Sequence, residues 1–194
     1  MTSPARCRFR AIAQLPDDQI NLAEAALCIA WEDQGEGNPS ASLRRIDALA
    51  ATAQERIAGR RGSRAIVAAL NVYLFDELGF RGNFWDYSDP GNSFLDQVIT
   101  RRVGLPILLS VLYLEIGWRL HLPVVGLALP GHFLVRYVDQ QNGDLYISIA
   151  EDCGRWRNVS DRSPRLRARS IQRWCSRSWR HRRRAQSCCV YCVT

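Results

Sequence analysis

Little in this chain could do chemistry, and the residue with the most potential is one of its three histidines. His132 follows Pro130-Gly131 and opens an alternating segment, so its backbone is expected to enter a strand. There an imidazole works as a general base if a nucleophile faces it and an acid fixes its tautomer. As a lone histidine it reads first as a satisfied, partly buried polar residue, with a ligand-contacting role as the alternative. The seven cysteines offer little help. Cys28 lies on the apolar side of a helical segment, where a free thiol behaves as a small hydrophobe. Cys153, Cys175, Cys188, Cys189 and Cys192 fall beyond residue 150. Two adjacent cysteines followed by a three-residue step, with only His181 nearby, do not reproduce a zinc-ligand spacing. Neither a metal site, a cofactor nor a disulfide scaffold is expected.

The elements that would position His132 can be read from periodicity. Ile20, Leu22, Ala23, Ala26, Leu27, Ala30 and Trp31 recur at three and four residues, predicting a helix over 18–33 that buries one stripe. Pro39 and Ser40 open a second helix, with Leu43, Ile46, Leu49, Ala50, Ala53 and Ile57 on one face and Gly59 and Gly62 ending it. A third is expected over 63–78 with Ser63 as its N-cap. The loop 79–93 is rich in Gly, Asn, Asp and Pro yet carries Phe80, Phe84, Trp85 and Tyr87, and so many aromatics predict inward packing. Asn92 and Ser93 then cap a short helix over 94–101. The segment 105–120 is apolar on nearly every face and is expected to be the buried central helix. Strands follow over 124–129 and 132–138, the second with His132, Leu134, Arg136 and Val138 on one side and Phe133, Val135 and Tyr137 on the other. The Asn142-Gly143 turn leads to a returning strand over 145–149. Helices followed by an antiparallel meander define an α+β fold.

Composition sets the outer limits. With 194 residues, 47% of them hydrophobic, the chain can bury one real core. No apolar run reaches the roughly 20 residues of a membrane span, and no secretory signal is seen at the start, so a soluble, cytoplasmic protein with no membrane partner is expected. Residues 1–150 hold 14 Arg against 16 acidic side chains, whereas 151–194 hold 12 Arg against 3. Lysine is absent, which points to GC-rich coding rather than to a demand for guanidinium. The chain therefore divides into an N-terminal helical region (1–62), a core (63–150) and an Arg/Cys-rich tail (151–194) that is expected to be poorly ordered.

A long buried helix followed by strands, with a histidine opening the middle one, is how papain-like folds place a Cys-His-Asp/Asn set, the helix N-terminus lowering the thiol pKa. An ordered string of motifs sharpens this reading: Tyr73-Leu-Phe, Gly79-Phe-Arg-Gly-Asn83, Tyr87, Asp89-Pro-Gly-Asn-Ser93, Arg102-Val-Gly-Leu-Pro-Ile107, Leu112-Tyr-Leu-Glu115 and Pro130-Gly-His-Phe-Leu-Val135. Together they resemble the SirB-type branch of the transglutaminase-like core superfamily over about residues 20–147. The resemblance implies a transglutaminase-like, papain-type core behind a helical N-terminal region, usually followed by a tetratricopeptide-type tail. Enzymes of that superfamily carry Gly-x-Cys at the helix start, and the matching triplet here is Gly104-Leu105-Pro106. Proline is no nucleophile, but it suits the first turn of a helix. His132 matches the superfamily's histidine. Ser148 stands where the third, acidic member is expected. The resemblance ends at Ile147, where Arg, Ser, Cys and Trp content rises, as a shifted reading frame or truncation would produce.

These residues predict a pseudoenzyme: a non-catalytic binding or regulatory module for an unknown protein or small molecule, with no catalytic residue. His132, Asn83, Tyr87, Asp89, Asn92 and Ser93 form its candidate ligand or partner surface. For Asp89, Asn92 and Ser93 the alternative is that they only make turn and cap hydrogen bonds. Two other functions compete. One is a hydrolase or acyl transferase using His132 as general base. The other is nonspecific nucleic-acid association through the tail, where Trp156, Trp174 and Trp179 interleave with arginines.

Overall fold

The computed structural model describes residues 3–35, 37–129 and 132–149, His132 by its backbone alone. The expectations placed on Pro130, Gly131 and the 151–194 tail, including its cysteines and its nucleic-acid binding, lie outside the described residues. Among the described residues, six α-helices and five strands are ordered α1 (Pro4–Ala13), α2 (Leu22–Gln34), α3 (Pro39–Ile57), α4 (Ser63–Asn71), β1 (Arg81–Gly82), α5 (Leu95–Arg101), β2 (Val103–Gly104), α6 (Pro106–Arg119), β3 (Val124–Leu129), β4 (His132–Tyr137) and β5 (Leu145–Ser148). None of these helices is long and apolar enough to cross a membrane.

The centre is α6. Nine consecutive residues, Leu109 to Gly117, are buried, as the lack of a polar face requires. Helices α2, α3 and α5 pack against it, as do β3 and β4. Gly117 permits the close approach of β3, because a Cβ there would lie 2.5 Å from Val124 Cγ2. The one acid in this stretch, Glu115, is 4% exposed. It accepts from the Ala23 backbone N–H in the first turn of α2 at 2.7 Å and pairs with Arg119, which in turn donates to Asp47 of α3 at 2.7 Å. A buried carboxylate is tolerable only with such partners, and this one ties three helices together.

The helix boundaries differ from expectation for local reasons. The first predicted helix starts at Leu22, because Asn21 caps it by accepting from the Glu24 N–H at 2.8 Å. Asp17–Gln19 forms a separate 3₁₀ turn. Ser63 is not the N-cap of α4: Gly62 takes that position with φ 83°, and the Ser63 hydroxyl donates instead to Asp139 at 2.5 Å. The predicted 63–78 helix is α-helical only to Asn71, then widens into a π turn at Val72–Glu77 that buries both Tyr73 and Leu74. Ser93 and Asn92 do not cap α5; they close a 3₁₀ turn over Pro90–Ser93, and Phe94 holds the cap position without a side-chain bond.

Three strands form the antiparallel sheet β3-β4-β5, with Leu129 opposite His132 and Leu134 opposite Ser148. Strand β4 is buried on both faces, Leu134 on one side and Val135 and Tyr137 on the other. The inward packing expected of the loop aromatics holds only for Phe80; Phe84 and Tyr87 are half-exposed and Trp85 fully exposed. Also beyond the predicted set is a two-residue parallel pairing of β1 with β2, Arg81 opposite Val103 and Gly82 opposite Gly104.

Candidate functional site

The loop between β1 and α5 is built around one amide. Asn92 is wholly buried. Its Nδ2 donates to the Asp86 carbonyl at 2.7 Å and to that of Tyr87 at 3.4 Å, and its Oδ1 accepts from Asn83 Nδ2 at 3.1 Å. Asn83 Oδ1 in turn accepts from the Asp86 N–H at 3.1 Å. Asp89 accepts from the Gly91 N–H at 2.8 Å and from the Arg101 guanidinium. That guanidinium holds its carboxyl below the ordinary range, with the Gly91 N–H assisting. The Arg101 guanidinium lies directly over Gly91, where a Cβ would fall 2.1 Å from its Nη1 and the guanidinium would have to move aside.

Both ends of the loop are fastened to the segment entering α6. The Arg81 N–H donates to the Arg102 carbonyl at 2.9 Å, and the Leu105 N–H donates to the Asn92 carbonyl at 2.9 Å. Arg102 adopts φ 59°, uncommon for a residue with a Cβ, and its guanidinium donates to the Leu78 carbonyl at 2.9 Å. Gly104 lies so close to Val98 that a Cβ would stand 2.3 Å from Cγ2. The loop is thereby placed against the amino end of the central helix, where Leu105 is the N-cap and Pro106 occupies the first helical position.

Of the sequence-derived candidates, the structure thus brings Asn83, Asp89 and Asn92 into one hydrogen-bonded unit. Tyr87 and Ser93 lie exposed on its surface. His132 is placed by its strand only, opposite Leu129 at the far end of the β3-β4 pair. Cys28 is buried in α2, and burial first, then Glu24, pushes its thiol pKa up, with Arg8 opposing. Among the described residues no group of three potential metal ligands gathers.

The sequence reading missed the groove that this scaffold creates. It encloses about 420 Å³ and is lined by Arg81, Gly82, Asn83, Phe84, Trp85, Arg101 and Val103. The clue was the density of aromatics in a polar loop, which was read as inward packing. Two of them instead form an outward wall beside two arginines, an arrangement suited to holding an anion next to an apolar or aromatic group.

Comparison with known proteins now assigns the family. A UPF0162 protein of Xylella fastidiosa (strain 9a5c) is 36% identical over 132 residues, covering 66% of this chain and 46% of the relative. A UPF0162 protein of Vibrio cholerae is 30% identical over 118 residues, 61% of this chain and 44% of the relative. F-box only protein 21 of Mus musculus is 40% identical over 78 residues, 40% of this chain and 12% of the relative. The chain spans a little under half the length of the UPF0162 relatives it matches. No solved structure matches. A sequence profile described as Transglutaminase-like superfamily matches residues 40–183, most of the chain, and so runs past Ile147, where the resemblance is expected to end. The chain belongs to the transglutaminase-like superfamily.

Proposed function

We propose that this is a catalytically silent, SirB-type transglutaminase-like domain with a papain-type core, acting as a binding or regulatory module. Its recognition surface is the loop 83–93 with its groove, the start of α6, and His132. The observation that carries this reading is Pro106 at the first position of α6. A helix N-terminus activates a thiol placed there, but an imino acid has neither a thiol nor a hydroxyl to deprotonate. Cys28 is a poor substitute, since it is buried and its thiol pKa is raised, so little thiolate exists near neutral pH. A shifted reading frame after Ile147 rests on composition alone and has the family match to residue 183 against it; reading the nucleotide sequence around codon 148 in all three frames tests it.

The functional test is turnover. The purified full chain is assayed for ester hydrolysis and for amine incorporation into a glutamine-containing peptide, with and without iodoacetamide, beside a His132→Ala variant. Rates at the uncatalysed background, unchanged by either treatment, are expected. Turnover abolished by alkylation or by His132→Ala would overturn the silent-domain reading.

A further inference from the structure

The geometry points to a carboxylate-binding groove between β1 and α5, one that takes a carboxylate borne beside an aromatic ring, with Arg81 as its anchor. This deepens the binding-module reading and rests on it for the location of the ligand surface.

The groove's volume of about 420 Å³ is that of a small-molecule or single-side-chain site. Its two guanidiniums are not equivalent. Arg101 is committed to Asp89 and sits close over Gly91. Arg81 lines the same groove and, like several exposed arginines elsewhere, has no acidic partner among the described residues; what sets it apart is its place beside the aromatic wall. The aromatic wall is partly preformed. The Phe84 ring rests on Gly82, where a Cβ would come within 3.0 Å of its Cζ, and it lines the groove together with Arg81. Trp85 is fully exposed, leaving a large apolar face that no neighbour covers and that a ligand ring can stack upon.

Charge narrows the ligand. Asp89 contacts Arg101, and Asp86 lies near enough to raise the Arg101 pKa further. Two cations are thus set against two carboxylates. A polyanionic strand gains little from such a balance, because its affinity depends on many phosphate contacts. A single carboxylate gains a charge-assisted, bidentate contact from the uncommitted fork of Arg81, and the attached ring occupies the Phe84–Trp85 wall. A free aryl acid and a peptide ending in an aromatic residue present the same group.

The test uses the full chain and follows the tryptophan indole N–H signals by NMR, with Trp85 assigned from a Trp85→Phe variant. The probes are N-acetyl-phenylalanine, its amide, a hexapeptide ending in phenylalanine as acid and as amide, and a ten-nucleotide oligothymidine. Both acids should shift the Trp85 signal, each at least about five-fold more tightly than its amide; the tighter of the two acids identifies the source. Arg81→Gln should reduce acid affinity to that of the amide, and Trp85→Ala should weaken acid and amide alike. Both positions are exposed, so the fold should persist, as circular dichroism will check. Equal affinity for acid and amide, an unchanged Arg81→Gln variant, or tightest binding by the oligonucleotide would overturn the assignment. None of these outcomes bears on turnover, so this proposal and the silent-domain reading fail separately.

Discussion

Replacing Asn92 by alanine should destabilise the protein by about 2–3 kcal/mol. The side chain is fully buried and makes two well-formed hydrogen bonds, at 2.7 Å to Asp86 O and 3.1 Å from Asn83 Nδ2, with a longer third at 3.4 Å to Tyr87 O. Each well-formed bond contributes about 1 kcal/mol net, and the long one little. The void left by the amide adds about 1 kcal/mol, because so short a loop refills it only in part. Asp86 is exposed, so water restores its carbonyl's partner, which keeps the total at the lower end of what a buried network can lose. With a urea m-value of about 2 kcal/mol/M, the midpoint followed by circular dichroism should fall by about 1–1.5 M. Ser93→Ala, one residue away but exposed and without a bond to its hydroxyl, should move it by less than about 0.25 M. A midpoint for Asn92→Ala within about 0.3 M of the parent would refute the view that this amide organises the loop.

Other consequences can be measured independently. Asp139 is held at a pKa of about 2, chiefly by the Ser63 hydroxyl and then by Asn142 and Gln141. Since its folded pKa is depressed, its contribution is present above its ordinary value of 3.8 and is lost as pH falls toward 2. Ser63→Ala should move the Asp139 titration, read by carboxyl NMR, back toward 3.8 and flatten the stability loss between these values; an unmoved titration would refute the bond. Gly104→Ala drives a Cβ into Val98 and should cost about 1–3 kcal/mol in thermal unfolding. Adding Val98→Ala should relieve the clash, so the double variant falls short of the sum of the two single losses. Pro106→Cys should produce a thiol whose alkylation midpoint lies below the roughly 8.5 of a free cysteine; a midpoint at or above that would count against the papain-type placement of this helix. In the native protein iodoacetamide should modify the exposed Cys7 and spare the buried Cys28, as peptide mass mapping will show.

What was legible in the sequence follows from what each element depends on. Helix α6 announced itself because burial on all sides demands apolar residues on all sides, and α3 because Pro39, Ser40 and a single stripe give clear signals. The Asn142-Gly143 turn was equally plain, Gly143 taking φ 87° where only glycine is at ease. Helix α1 was missed because its arginines look like solvent-facing noise. It is held by Ala5 and Ile12 and by ion pairs from Arg6 and Arg8 to Glu32 and Glu24 of α2, partners that only tertiary structure supplies. Two-residue strands have no period to detect, which hid β1 and β2. In the site, the turn-forming habits of Asn and Asp anticipated the scaffold around Asn92 and Asp89. The groove was illegible because Arg81 and Arg101 lie 20 positions apart in the chain and meet only through the pairing that closes the loop.

That closure also bears on how such a domain diverges. With one end anchored by Arg81 to Arg102 and the other by Asn92 to Leu105, the excursion from 83 to 91 begins and ends at fixed points whatever happens at its tip. Residues 84–88 are all exposed, and the bonds that residues 86 and 87 make to Asn83 and Asn92 come from their backbones, so side-chain substitution there leaves both the hydrophobic interior and this network undisturbed. A lineage can change the side chains that this face presents by rewriting five positions while inheriting the same frame.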